Sequence, residues 1–257
     1  MTTRSAVTRR RVPLRSTCAA PHTCPPSVRM AVLSHVPYFA SLPPEDLTQV
    51  DNRMTALSWA EGDPLYQMGD RAEHLYVLAS GHVKVGGTTA AGDESITDIL
   101  SPGQLFGTMM TLGEPVHTDT ATALVTTCAL RIDQQSFRDI LTQHPTVALR
   151  VLDDVAARLA RTKSGMSRRL ANTVPQRTAA ALLTLADTVG QATDDNGTLL
   201  QLPLTRADIA ALANSTPESV SRTMSEWRRS GIIDSGRRWT AILDRDRLTQ
   251  IADGTVS

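Results

Sequence analysis

Residues 204–233 read LTRADIAALANSTPESVSRTMSEWRRSGII, and their chemistry is concentrated in Glu218, Ser221 and Arg222. Spaced by three and four positions, these side chains share one face of a helix. An arginine pairs bidentately with guanine, a carboxylate accepts from a base amino group, and a serine hydroxyl lies against thymine. Placed at the exposed start of a helix, the set suits reading base edges in a major groove. With neighbours able to reach a phosphate backbone, the candidate DNA-contacting residues are Thr205, Arg206, Thr216, Glu218, Ser219, Ser221, Arg222, Arg237 and Arg238. A second chemistry belongs to thiols. Cys18 and Cys24 flank His22 in CAAPHTC, inside an arginine-rich segment whose positive charge favours thiolates. A five-residue gap lets a flexible chain bring both sulfurs to one metal or into one disulfide. Inert surface thiols are the alternative. Cys128 alternates with Leu124, Leu130 and Ile132 on an apolar strand face and reads as a small hydrophobe, although it is the one candidate for a third sulfur.

The local elements that hold the first set are legible. Thr205 and Asp208 form a capping box that starts one helix, and the Asn214–Ser215 pair breaks it. Thr216 caps the next helix with Pro217 in its first position, where a missing N–H costs nothing. Val220, Met224 and Trp227 then face inward, and Glu218, Ser221, Arg222 and Ser225 face outward. Two short helices around a tight turn, the second polar, describe a helix-turn-helix. GIIDSGRRWTAIL follows as a β-hairpin wing, with Arg228, Arg229, Arg237 and Arg238 near a DNA backbone. A purely structural three-helix domain with solvated arginines is the competing reading.

The rest of the chain sets the context. Its 257 residues are 41% hydrophobic and 20% charged with zero formal net charge, so any nucleic acid must be met by local patches. Residues 1–44 hold Arg4, Arg9, Arg10, Arg11, Arg15 and Arg29 and no acid, which reads as a flexible basic arm over 1–27 in preference to a targeting signal. A second acid-free stretch carries Arg161, Lys163, Arg168, Arg169 and Arg177. No apolar run approaches the roughly 18–20 residues of a membrane span. The unpaired complement of three cysteines points to a reducing, cytoplasmic setting. Short β-rich runs cut by glycines make 28–145 a β-roll, entered through a short helix over Ser27–Pro37 and a second helix at PPEDL. Over 146–174, Leu152, Val155, Leu159, Thr162 and Met166 recur at coiled-coil spacing. This predicts a dimerisation helix, with packing on the chain's own roll as the alternative. Pro175 should end or bend it and open a C-terminal domain over 175–257. No H-x-H pair, Ser/His/Asp order or phosphate-cradling glycine loop favours an enzyme, so a metal-binding β-roll is the weaker rival.

EGDPLYQMGDRAEHLYVLASGHVKV, the long helix and LTRADIAALANSTPESVSRTMSEWRRSGII together resemble the Crp/Fnr family of bacterial transcription regulators. The resemblance implies an α+β chain: a cyclic-nucleotide-binding-like β-roll, a dimerisation helix and a winged helix-turn-helix. It also implies an Fnr-type E-x-x-S-R reading set at Glu218, Ser221 and Arg222, half-sites of the TTGA and TCAA type, and RNA polymerase as a partner. Cyclic-nucleotide members are similar in carrying Glu after the Gly of F-G-E and an Arg–Ser or Arg–Thr pair some ten residues on. Here Thr108 follows Gly107, and no Arg or Lys occurs from 107 to 130, so cyclic AMP is disfavoured. His117, Met109 and Met110 are candidates to face haem or another apolar effector, with plain core as the alternative. The expected signal is redox, gas, iron–sulfur or haem, although an effector-independent DNA-binding protein would look the same. Fnr-type iron–sulfur members usually have more N-terminal cysteines, so the ligand set is incomplete.

Overall fold

Proline opens the first two helices of the computed structural model, which describes residues 25–88, 94–108, 115–171, 173–193 and 197–255. Helix α1 spans Pro26–His35 and α2 Pro44–Asn52, with Glu45 and Asp46 at the positive end of α2. Eight strands follow: β1 (Thr55–Trp59), β2 (Pro64–Tyr66), β3 (His74–Ser80), β4 (Val83–Thr88), β5 (Glu94–Leu100), β6 (Leu105–Phe106), β7 (Thr120–Ala123) and β8 (Thr127–Asp133). They form two antiparallel sheets in the orders β1-β8-β3-β6 and β2-β7-β4-β5. The side-chain period of two separates the faces. Leu75, Val77, Cys128, Leu130 and Ile132 look outward and are covered by helices, whereas Tyr76, Leu78 and Ala129 look into the roll.

Alternation from Leu124 to Ile132 breaks at residues 124–126, between β7 and β8. Leu124 therefore leaves the face of Cys128, Leu130 and Ile132 and joins the core of the C-terminal domain. Cys128 is wholly buried under the helices, as its apolar strand implied. Cys18 and Cys24 lie outside the described residues.

Asp133 caps α3 (Gln134–Gln143), and α4 runs over Pro145–Ala171. The helix expected over 146–174 thus stops short of Pro175. Thr173 and Gln176 form a capping box for α5 (Val174–Val189), whose first turn accommodates the proline. The two faces of α4 diverge. Val147 and Val151 are buried against the roll with Val155 packed beside them, and the Tyr38 hydroxyl donates to Asp154 at 2.7 Å. Leu149, Leu152 and Leu159 stand 62%, 62% and 55% exposed. Val155 therefore belongs to the roll-facing side, and Leu149 joins the exposed row in its place. The Met166 side chain lies outside the described residues. No described helix is long and apolar enough to cross a membrane.

The C-terminal domain adds β9 (Gln191–Ala192), β10 (Thr198–Leu200), α6 (Arg206–Leu212), α7 (Pro217–Arg229), β11 (Ile233–Gly236), β12 (Trp239–Ile242) and α8 (Arg245–Ala252). The expected two-stranded wing is one side of a four-stranded sheet, β11-β12-β10-β9. The two strands preceding α6 are too short to show periodicity in the sequence. Helices α5, α6, α7 and α8 close over one apolar cluster that also takes in Ile96 and Ile99 of β5.

Candidate nucleic-acid interface

Helix α7 sorts its residues as its 3.6-residue period requires. Val220, Thr223, Met224 and Trp227 are buried; Glu218, Arg222 and Ser225 are exposed, with Ser221 half-buried beside them. Neither Glu218 nor Arg222 has an ion-pair partner among the described residues. The turn before α7 is tight: Asn214 takes φ 48°, and the Arg177 guanidinium donates to the carbonyls of Ala213 and Asn214 at 2.9 and 3.2 Å. Arg177, grouped by sequence with a basic stretch, is a brace for this turn.

The hydroxyls in the candidate set act first as caps. The Thr205 N–H and hydroxyl donate to Asp208 Oδ2 at 2.8 and 2.6 Å, and the Asp208 N–H donates back to the Thr205 oxygen. The Ser219 N–H donates to Thr216 Oγ1 at 3.3 Å, and the Thr216 hydroxyl to Ser219 Oγ at 3.1 Å. Burial lifts the Asp208 carboxyl, but hydrogen bonds from Lys84 and Thr205 outweigh it and leave the group below its ordinary value.

The arginines divide. Arg222 and Arg237 are exposed. Arg206 is half-buried, set against the Met224 thioether and donating to Ser235 Oγ at 3.0 Å; burial and then the charge of Arg228 pull its pKa down. Arg238, at φ 74° in the wing turn, forms a fork with Glu61 of the roll at 2.8 and 2.6 Å. Sequence spacing could not reveal that contact, because its partners lie 177 positions apart.

Within the roll, aromatic side chains fill one end. His117 is buried and stacks on Tyr66 with centroids 3.7 Å apart, and Tyr66 and Phe106 flank Tyr76. Burial depresses the His117 imidazole against the opposing charge of Asp119. It raises Asp119 despite the hydrogen bond from Tyr66. His117 Nδ1 and Asp119 Oδ1 are buried without a hydrogen-bond partner among the described residues. Met109 and Met110 lie outside them.

Comparison with known proteins follows this division of the chain. The cyclic nucleotide-binding domain family matches residues 56–144, and the Crp-like helix-turn-helix domain family matches residues 176–251. A CRP-like cAMP-activated global transcriptional regulator of Mycobacterium tuberculosis is 26% identical over 222 residues, 86% of this chain and 98% of that protein. The fumarate and nitrate reduction regulatory protein of Escherichia coli is 25% identical over 211 residues, 82% of this chain and 84% of that protein. The solved structure of FixK2 from Bradyrhizobium japonicum superposes with a TM-score of 0.68 at 25% identity, covering 77% of this chain and 96% of that one.

The chain belongs to the Crp/Fnr family. It is a DNA-binding transcriptional regulator of that type. In this Crp/Fnr chain, however, the 107–130 segment departs from the cyclic-nucleotide pattern set out above. A buried cyclic phosphate needs a guanidinium fork and a ribose hydroxyl needs an acceptor. Thr108 stands where the family's glutamate would, its carbonyl accepting from Gln134 Nε2 at 2.8 Å. The segment from 107 to 130 carries no arginine or lysine. Beyond that segment, Arg131 lies opposite Tyr76 in the β3–β8 register and so on the inner face. It stands on β8, outside the segment that carries the phosphate arginine in cyclic-nucleotide members. Strand alternation through TCALRI was the signal that could have found it.

Proposed function

We propose that this regulator acts as a homodimer reading an inverted repeat of TTGA and TCAA half-sites, in response to a redox or gas signal. The observation that carries the reading is α7 itself. Its apolar side is buried to the last residue, its caps are satisfied, and Glu218 and Arg222 are left exposed and without an ion-pair partner among the described residues. A helix arranged so has spent its structural groups on structure and kept its recognition groups for a ligand.

Arg222 reads guanine, Glu218 accepts from a base amino group, and Ser221 lies against thymine. Thr205, Thr216 and Ser219 stand at helix starts, where backbone amides and the helix dipole favour phosphate. Arg237 meets phosphate from the wing tip; Arg206 and Arg238 do so only by leaving Ser235 and Glu61. The exposed Leu149, Leu152 and Leu159 row supports pairing of α4 with a second copy, which sets the two reading helices about one helical turn apart. RNA polymerase is the partner through which such a regulator acts, in the cytoplasm and without enzymatic activity.

The departure of the 107–130 segment from the cyclic-nucleotide pattern supports a different signal. Cys18 and Cys24 are the candidates for a redox or iron–sulfur switch, and His117 for an effector inside the roll. Cys128, wholly buried beneath the helices, is poorly placed to join the arm as a third ligand. The aromatic filling of the roll favours a second reading, a regulator needing no effector.

Three measurements check these readings. Arg222→Ala should cost about 1–3 kcal/mol at the matched operator and relax preference at one base pair; an equal loss on random DNA would reduce Arg222 to a phosphate contact. Leu159→Glu places a charge in the α4 row and should halve the sedimenting mass; an unchanged mass would put the dimer contact elsewhere. Protein purified without oxygen should absorb visibly and show no micromolar cyclic AMP binding by calorimetry. A colourless protein that ignores cyclic AMP leaves a disulfide switch or the effector-independent reading, which a thiol count under oxidising and reducing conditions separates, and micromolar cyclic AMP binding contradicts both.

A further inference from the structure

The β4–β5 hairpin bears directly on the DNA-binding domain. Lys84 is the second residue of β4, paired in register with Ile99 of β5 on one side and Thr122 of β7 on the other. Its ammonium donates to Asp208 Oδ1 at 2.7 Å, the lysine side chain 24% exposed and the aspartate 7%. Asp208 is also the residue that closes the capping box of α6. The roll therefore grips α6 at its cap, and α6 is the helix against which α7 packs. Ile96 and Ile99 enter the same cluster as Ile209 and Ala210. The Ser101 hydroxyl donates to the Thr188 carbonyl at the far end of α5, at 3.1 Å. On the opposite side, Glu61 holds the wing through Arg238.

These contacts grip the reading domain at the α6 cap, the end of α5 and the wing tip, and all of them leave the outward face of α7 exposed. A covering contact would have hidden Glu218 and Arg222. This one sets their direction. It also sits one strand from the His117–Asp119 end of the roll, because β7 follows Asp119 directly and pairs with β4.

We propose that the β4–β5 hairpin positions the DNA-reading domain, with Lys84 as the positioning residue that fixes where α7 points relative to the roll. The inference rests on the dimeric reading above. In a dimer the direction of each α7 determines the separation of the two reading helices, and hence the half-site spacing accepted. A domain held at several points accepts one spacing. A domain tethered by its chain connection alone accepts several, and loses affinity at the best one because ordering must then occur on binding.

The test uses full-length protein and an inverted-repeat operator selected from random DNA by the wild type. It adds two duplexes whose centre is lengthened or shortened by a couple of base pairs. The wild type should prefer the selected spacing by about ten-fold or more, within the range of couplings between linked sites. Lys84→Met should bring that preference to about three-fold or less. Its affinity for random DNA, set by phosphate contacts, should hardly change. Lys84→Arg keeps the cation and should restore the preference. Glu61→Gln releases Arg238 without touching the buried pair and should act in the same direction, so it carries the test if Lys84→Met does not fold. Wild-type spacing preference in the folded variants would overturn the proposal. So would tighter operator binding by Lys84→Met, which would make the contact an inhibitory latch. A wild type that selects no spaced repeat would count instead against the dimeric reading itself.

Discussion

Ile96, Ile99 and Leu124 of the roll share one apolar cluster with Leu182, Leu185, Ile209, Met224 and Trp227 of the reading domain, and the working geometry depends on that junction. Burying apolar surface yields about 25 cal/mol per Å², without direction. On its own it would hold the two domains together in many orientations. Direction comes from the polar groups at its border. Lys84 must meet Asp208, because a buried charge left without its partner costs several kcal/mol, of order 3–5; Arg238 and Glu61 add a more exposed pair worth about 0–1 kcal/mol. The apolar patch supplies adhesion and the ion pairs select the orientation.

The same division of labour recurs inside the reading domain. Trp227, Met224 and Val220 anchor α7 from beneath, while Thr205, Asp208, Thr216 and Arg177 fix where each helix begins and how the turn closes. Such caps are each worth about 1 kcal/mol. Their larger effect is on register: a helix begun one residue late would rotate Arg222 by about 100° away from its face. The proline at position 217 belongs to this scheme, as a residue that fixes the helix start and has no N–H that needs an acceptor.

Local features of this kind were open to the sequence. Helix α7, its caps, its buried and exposed faces and the family resemblance all follow from residue types at short spacing. The roll could be recognised from glycine-punctuated strands, although residues 124–126 broke an alternation that read as continuous. What escaped were contacts between distant positions. Lys84 with Asp208 and Glu61 with Arg238 join residues more than a hundred positions apart, and no periodicity encodes them. Strands β9 and β10 were too short to carry a period, and Leu149 was hidden because the α4 stripe was counted from Leu152. Arg131 faces the roll interior through its register with Tyr76, a pairing that lies outside any local motif.

The central claim is that α7 reads a defined sequence in two symmetric copies. Selection of binding sites from a pool of random duplexes by the full-length protein, followed by sequencing, tests it most directly. The expected result is an enriched inverted repeat, its half-sites about one helical turn apart and each holding a G·C pair that Arg222 can grip. Enrichment of a lone half-site, or of no sequence at all, would contradict it.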